Sequence, residues 1–143
     1  MKYLLDTDIC IYLMNRHPQS LIDRIKQEQA GDIGISAITL SELQFGVSKS
    51  ANKVKNQQRL DEFLMPFSLL DYPQNASKIY GEIRAYLQAK GQLIGPLDLL
   101  IVTHALSELL ILITNNLDEF KRVPKLKVEN WFKEKPQKTW IDG

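Results

Sequence analysis

Carboxylates recur at one kind of place in this chain of 143 residues. Asp6 ends the apolar run YLL and is followed by Thr7, a second acid at Asp8 and the apolar ICIYL. Glu42 lies about one turn into ITLSELQFGVS, a helical pattern that follows the alternating stretch DIGIS. Asp98 comes just after Gly95 and Pro96, residue types that suit a helix N-cap and first position. Asn116 and Glu119 stand at the head of LDEF, after the apolar run LLILIT. An acid where a strand hands over to a helix sits beside free backbone N–H groups, so each of these residues taken alone reads as a cap or a dipole partner. Thr39 with Glu42, and Asn116 with Glu119, even have the spacing of a capping box.

Four such positions facing one rim open a second reading. Carboxylates gathered within a few ångströms raise one another's pKa unless something positive lies between them. No lysine or arginine stands inside these motifs. A hard divalent cation is the natural occupant, and oxygen ligands without a Cys or His in register favour Mg²⁺ or Mn²⁺ over zinc. Because Mg²⁺ keeps most of its waters and takes only a few carboxylates plus phosphate oxygens, the implied substrate carries phosphate.

The elements that must position these acids alternate along the chain. After the first strand, residues 9–15 read as a short helix, and Pro18 opens another that Gly31 ends. DIGIS is a strand, a helix follows from about Ile38, and NKVKNQQRLDEFLMPF gives a second helix with Val54, Leu60, Phe63 and Leu64 on its apolar side. FSLLD is a short strand. Pro73 opens a long helix with Ile79, Ile83 and Leu87 on one face, and Gly91 stops it. The helix carrying Asp98 leads to LLILIT, a continuous apolar strand of the kind buried on both faces, and Lys127 to Glu129 add a last short strand. His104 is out of register with Asp98 and reads as a packing histidine. Crossovers of this length imply an α/β fold with a mainly parallel sheet of four to five strands covered on both faces. Ligands bind such sheets beyond the carboxyl ends of the strands, where strand order reverses.

Composition excludes disorder, collagen and coiled coil: the chain is 44% apolar and 24% charged, with a net charge of +1. Its size suits one domain, expected over residues 1–132, with a basic tail over 133–143. From Lys121 to Lys138 seven lysines and arginines face only Glu129 and Glu134. Beside Trp131, Phe132 and Trp140 that run could follow a phosphate backbone, or be a solvated terminus. The single cysteine, Cys10, excludes an internal disulfide, suits a reducing compartment and packs as a small apolar residue. Asp6 and Asp8 break the only candidate signal sequence, and Asp98, His104 and Glu108 break the most apolar later stretch. A cytoplasmic protein without membrane spans is expected.

Four segments in order, LLDTDICIYL, ISAITLSELQFGV, IGPLDLLIVTHAL and ITNNLDEFKRVPKLKVENW, resemble a PIN-domain ribonuclease, specifically a VapC-type toxin of bacterial toxin–antitoxin pairs. The resemblance runs from Met1 to Trp131. It implies a PIN-like three-layer sandwich with metal-binding acids at Asp6, Glu42 and Asp98, Asp6 and Asp98 holding the ion. A weaker fourth position falls on Asn116, with Glu119 close by. It further implies Mg²⁺- or Mn²⁺-dependent cleavage of RNA, with tRNA ahead of ribosomal RNA, a homodimer, and a VapB-type antitoxin that covers the acidic pocket in a larger assembly. One departure matters: members very often carry Asn where this chain has Asp8, so the rim gains an acid.

The chemistry so implied is hydrolysis of a phosphodiester by a metal-activated water, with Glu42 completing the shell or orienting that water. Arg16, Lys49 and the basic tail would position the RNA backbone. Two other readings stand beside it. A receiver-like phosphoacceptor would use Asp6, Asp8, Asp71 and Thr114, although no lysine follows a fifth strand in the expected setting. A silent binding module would use the acids only as caps.

Overall fold

The computed structural model describes residues 1–132; the expected tail from Lys133 onward, with Trp140, lies outside them. Five strands, β1 (Tyr3–Leu5), β2 (Ile33–Ser36), β3 (Ser68–Leu70), β4 (Ile111–Ile113) and β5 (Val128–Glu129), form one sheet in the order β3-β2-β1-β4-β5. Every pairing is parallel. The chain walks outward from β1 to β3, crosses back over the sheet, and continues through β4 to β5. Strand order therefore reverses at β1, the central strand.

Two helices make each of the first three crossovers: α1 (Thr7–Met14) with α2 (Gln19–Lys26), α3 (Ala37–Ser48) with α4 (Lys53–Leu64), and α5 (Ala76–Ala89) with α6 (Pro96–Ser107). The short α7 (Leu117–Phe120) joins β4 to β5. Successive side chains of a strand point to opposite faces. Tyr3 and Leu5 of β1 accordingly pack with Ile9, Leu21, Leu43 and Leu60 from α1 to α4. Leu4 turns the other way, onto Leu87, Leu99, Val102 and Phe120 from α5, α6 and α7. Burying each such leucine or isoleucine contributes about 1.5–3 kcal/mol. The three-layer, parallel-sheet expectation is met, with five strands.

Several local boundaries differ from the sequence reading, for reasons visible in their caps. Helix α1 starts at Thr7, before Ile9, because the Asp6 carboxylate already accepts the Ile9 N–H at 2.9 Å. Helix α2 stops at Lys26, and Gly31 falls inside a separate 3-10 turn, Ala30–Asp32. Helix α3 is capped by Ser36, whose Oγ accepts the Ile38 N–H at 3.1 Å, so Thr39 and Glu42 lie inside the helix and form no capping box. Val54 is 83% exposed and leaves the apolar side of α4 to Leu60, Phe63 and Leu64. Trp131, expected beside the tail, is buried: it meets the Tyr3 ring edge-on at 4.8 Å, and the Arg24 guanidinium lies 4.1 Å over its ring. Phe132 packs on Tyr12. The buried Trp131 ring is not presented for base stacking. Cys10 is buried in the first core, where burial, with Asp6 nearby, pushes its thiol well up. No helix among the described residues is long and apolar enough to cross a membrane.

Candidate active site

The central strand ends at Leu5, so Asp6 emerges where strand order reverses. Its role as N-cap of α1 turns the carboxylate back over the helix start, and the residue is only 5% exposed. Thr114, just past the neighbouring β4, also donates to it. Burial is the main force on this carboxyl and pushes it up to about 7. The Thr114 hydroxyl and the Ile9 N–H pull in the opposite direction, and the charges of Asp8 and Asp98 push with burial.

Asp98 reaches the same rim from the other layer. Gly95 caps α6 and Pro96 opens it, as the sequence implies, which leaves Asp98 in the first turn. Its carboxyl is pushed up to about 6, by burial first and then by Glu119, Glu42 and Asp8. Asp8 and Asp98 thus act on Asp6, and Glu119, Glu42 and Asp8 act on Asp98, which makes Asp98 the acid that links the others. Asn116 joins through its amide, which donates to Glu119 Oε1 at 3.4 Å. Asp8 is exposed, and Glu42 and Glu119 are half-buried. Asp71 lies beyond the edge strand β3 and is not among the charges acting on Asp6 or Asp98, which removes the third acid of the receiver reading.

Among the described residues, none of these acids is paired with a lysine or arginine. Nor do three His, Cys, Asp or Glu side chains stand close enough to grip one ion directly. Direct ligation of a cation by these acids would therefore involve at most one or two carboxylates. The two strongly raised carboxyls, short of positive charge, fit such a cation.

Residues that no spacing rule singles out complete the arrangement. Thr7 Oγ1 donates to Glu42 Oε1 at 2.6 Å, fixing the one acid that sits on a helix side. Ser36, besides capping α3, is hydrogen-bonded to His104 Nδ1 of α6 at 2.9 Å, so His104 packs between the helices that carry Glu42 and Asp98. Burial pulls the His104 imidazole below its usual range. Beside Glu42 opens a pocket of about 220 Å³, lined also by Asn15, Asn56 and Arg59. Arg59 thus comes from α4 to the edge of the acidic rim. Arg16, expected there, instead lines a larger apolar groove between α1, α2 and α4. Lys49 ends α3 with its ammonium over the Phe45 ring. Thr7, Thr114 and Arg59 act through contacts with residues distant in sequence, and only the position of the two threonines beside strand ends hints at them.

Comparison with known proteins identifies the family. The PIN domain pattern matches residues 3–126. The chain is 47% identical over 134 residues to Ribonuclease VapC2 of Rickettsia felis, covering 93% of this chain and 100% of that protein. It is 40% identical over 131 residues to the tRNA(fMet)-specific endonuclease VapC of Shigella flexneri, covering 92% and 98%. Among solved structures it is similar to VapBC2 from Rickettsia felis bound to a DNA fragment from their promoter, with a TM-score of 0.85, 46% identity and coverage of 92% and 99%. DNA-bound VapBC from Salmonella typhimurium superposes with a TM-score of 0.87 at 37% identity, covering 92% and 98%. A matched pattern spanning all five acids, and full-length relatives at this identity, mean that the chain belongs to the PIN-domain family, in its VapC ribonuclease branch.

Proposed function

We propose that this protein is a divalent-metal-dependent endoribonuclease toxin of the cytoplasm that cuts RNA, tRNA before ribosomal RNA, and is silenced by a VapB-type antitoxin. The observation that supports the reading is that the charge of Asp98 reaches Asp6 at the strand-order reversal and that of Glu42 reaches Asp98, with the Asp6 and Asp98 carboxyls lifted to about 7 and about 6. Groups so destabilised as bare anions are poised to take a cation. The names of its relatives, ribonuclease and tRNA(fMet)-specific endonuclease, support the substrate class. Solved complexes titled VapBC support the partner.

Asp6 and Asp98 would hold Mg²⁺ or Mn²⁺. Bound there, the ion supplies charge neutralisation at the phosphate and a more acidic water. Glu42, with one oxygen tied to Thr7, would use its other oxygen to orient the attacking water and accept its proton. Asp8, Asn116 and Glu119 would support the ion from the outer part of the site. Among the described residues no histidine or lysine pairs with these acids, and solvent would serve as the proton source for the leaving oxygen. The groove of about 420 Å³ between α1, α2 and α4 shares Met14 and Arg59 with the pocket at Glu42, and its apolar lining suits a segment of the antitoxin. The active form would be a homodimer.

The test is purified protein on total bacterial RNA, with Mg²⁺ or Mn²⁺, with and without chelator, beside Asp98→Asn. Discrete cuts that need the ion and vanish in Asp98→Asn are expected. Cutting that survives both the chelator and the substitution would discard the reading.

A further inference from the structure

We infer that the pocket of about 220 Å³ beside Glu42 is a nucleobase subsite, taking the base of a nucleotide next to the scissile phosphate. The inference rests on the endoribonuclease reading and gives it a recognition element. Ile11, Met14, Leu43, Gly46 and Val47 supply apolar walls, and Asn15, Asn56, Arg59 and Glu42 supply the polar groups. Apolar walls with a few convergent polar groups make a ligand site. Here the ligand is defined by what lies next door. Glu42 and Gly46 are four residues apart on the same face of α3, about one helical turn or 5.4 Å. A phosphate held at the acidic rim therefore leaves the reach of one ribose to the floor of the pocket.

The polar groups are committed in a way that suits a base edge. Arg59 Nη2 donates to Met14 O at 2.7 Å and Asn15 Oδ1 at 2.9 Å, which pins the guanidinium plane and leaves three of its five N–H donors. Asn15, having accepted through its oxygen, keeps an amide donor. Asn56, having donated to Ser50 Oγ at 3.0 Å, keeps a carbonyl acceptor. A flat guanidinium with one amide donor and one amide acceptor around an apolar slot is the equipment that reads unpaired RNA bases.

Gly46 is the second, independent sign. It lies inside α3, where glycine costs about 1 kcal/mol relative to alanine. Packing does not require it, because a Cβ there would meet nothing within 4 Å, and its φ is not in the left-handed region. A side chain at this position would instead take up room in the pocket. Gly81 of α5 is equally unencumbered but is exposed and lies outside this pocket, so it serves as the control.

The experiment uses an RNA hairpin carrying a bond that the wild-type protein cuts in total bacterial RNA. The nucleotides flanking that bond are made normal or, one at a time, abasic. Gly46→Leu on the normal hairpin, and the wild type on one of the abasic hairpins, should each lose at least about tenfold in kcat/KM, and the two together should lose no more than either alone. Gly46→Leu should unfold at no lower temperature than the wild type, and Gly81→Ala should cut both hairpins as the wild type does. Losses that multiply would overturn the subsite. So would a Gly46→Leu protein with normal cleavage and weakened antitoxin binding, which would give the pocket to the partner protein. Equal cutting by wild type and Asp98→Asn would instead overturn the endoribonuclease reading beneath it.

Discussion

Thr7 Oγ1 stands 2.6 Å from Glu42 Oε1 and 3.2 Å from Thr39 Oγ1, joining the first turn of α1 to the middle of α3 across 35 residues of sequence. A hydroxyl has one proton, and the shorter bond to a charged acceptor takes it. Glu42 is thereby held with one oxygen committed and one directed elsewhere.

Thr7→Val keeps the shape and deletes the proton. Glu42 is then free to rotate, and kcat should fall roughly tenfold to a hundredfold, as misplacement of a positioned group does, with KM for RNA little changed. Thr7→Ser should restore most of the rate. Steady-state cleavage of one RNA by the three proteins decides it; a Thr7→Val enzyme with wild-type kcat would remove Glu42 positioning from the mechanism.

In metal-free protein the carboxyls of Asp6 and Asp98 hold their protons up to about 7 and about 6, against an ordinary 3.8. Between those limits the folded chain binds more protons than the unfolded chain, so stability falls as pH rises and levels off above about 7. For Asp6, buried and far shifted, the loss approaches roughly 4 kcal/mol, and Asp98 adds in the same direction. Urea unfolding in chelator should therefore give a lower midpoint near pH 8 than near pH 5. Mg²⁺ or Mn²⁺ should raise the midpoint more at the higher pH, where its ligands are already deprotonated. A midpoint that rises from pH 5 to pH 8 in chelator would contradict the buried-acid account.

Asp8 lies in the first turn of α1, exposed, and adds negative charge to both Asp6 and Asp98. Asp8→Asn should keep kcat within about threefold and require somewhat more Mg²⁺ for half-maximal rate, since removing one charge weakens the cation's attraction to the rim. Complete loss of cleavage would make Asp8 a ligand in this chain.

The handovers from strand to helix were legible in the residues themselves. Apolar runs stop on Asp6 and before Asn116, and Gly95-Pro96 announces α6, because caps and first-turn residues act within three or four positions. What places those ends on one rim is strand order, and the return from β3 at one edge to β4 beside β1 has no local signature. The same limit hid Thr7 and Arg59, whose partners come from other elements, and left Thr114 attached only to the receiver-like reading. Trp131 misled in the opposite direction: it stands in a lysine-rich stretch of the sequence, but in the fold its partners are Tyr3 and Arg24.

Ser36 ends β2 fully buried, caps α3 and is bonded to His104 of α6, so one hydroxyl fastens the two helices that carry Glu42 and Asp98. Ser36→Ala removes a cap, worth about 1 kcal/mol, and leaves His104 Nδ1 buried without a partner, worth about 1–3 kcal/mol more. His104→Leu leaves the cap in place and strands only the side of Ser36 that faced the ring. When both are replaced, no buried polar atom is left unpaired by the pair, so the double variant should be less destabilised than the sum of the singles, by on the order of 1 kcal/mol. Urea unfolding of the four proteins at fixed pH measures that coupling. Strictly additive losses would reduce the Ser36 hydroxyl to a helix cap and deny that it ties α3 to α6.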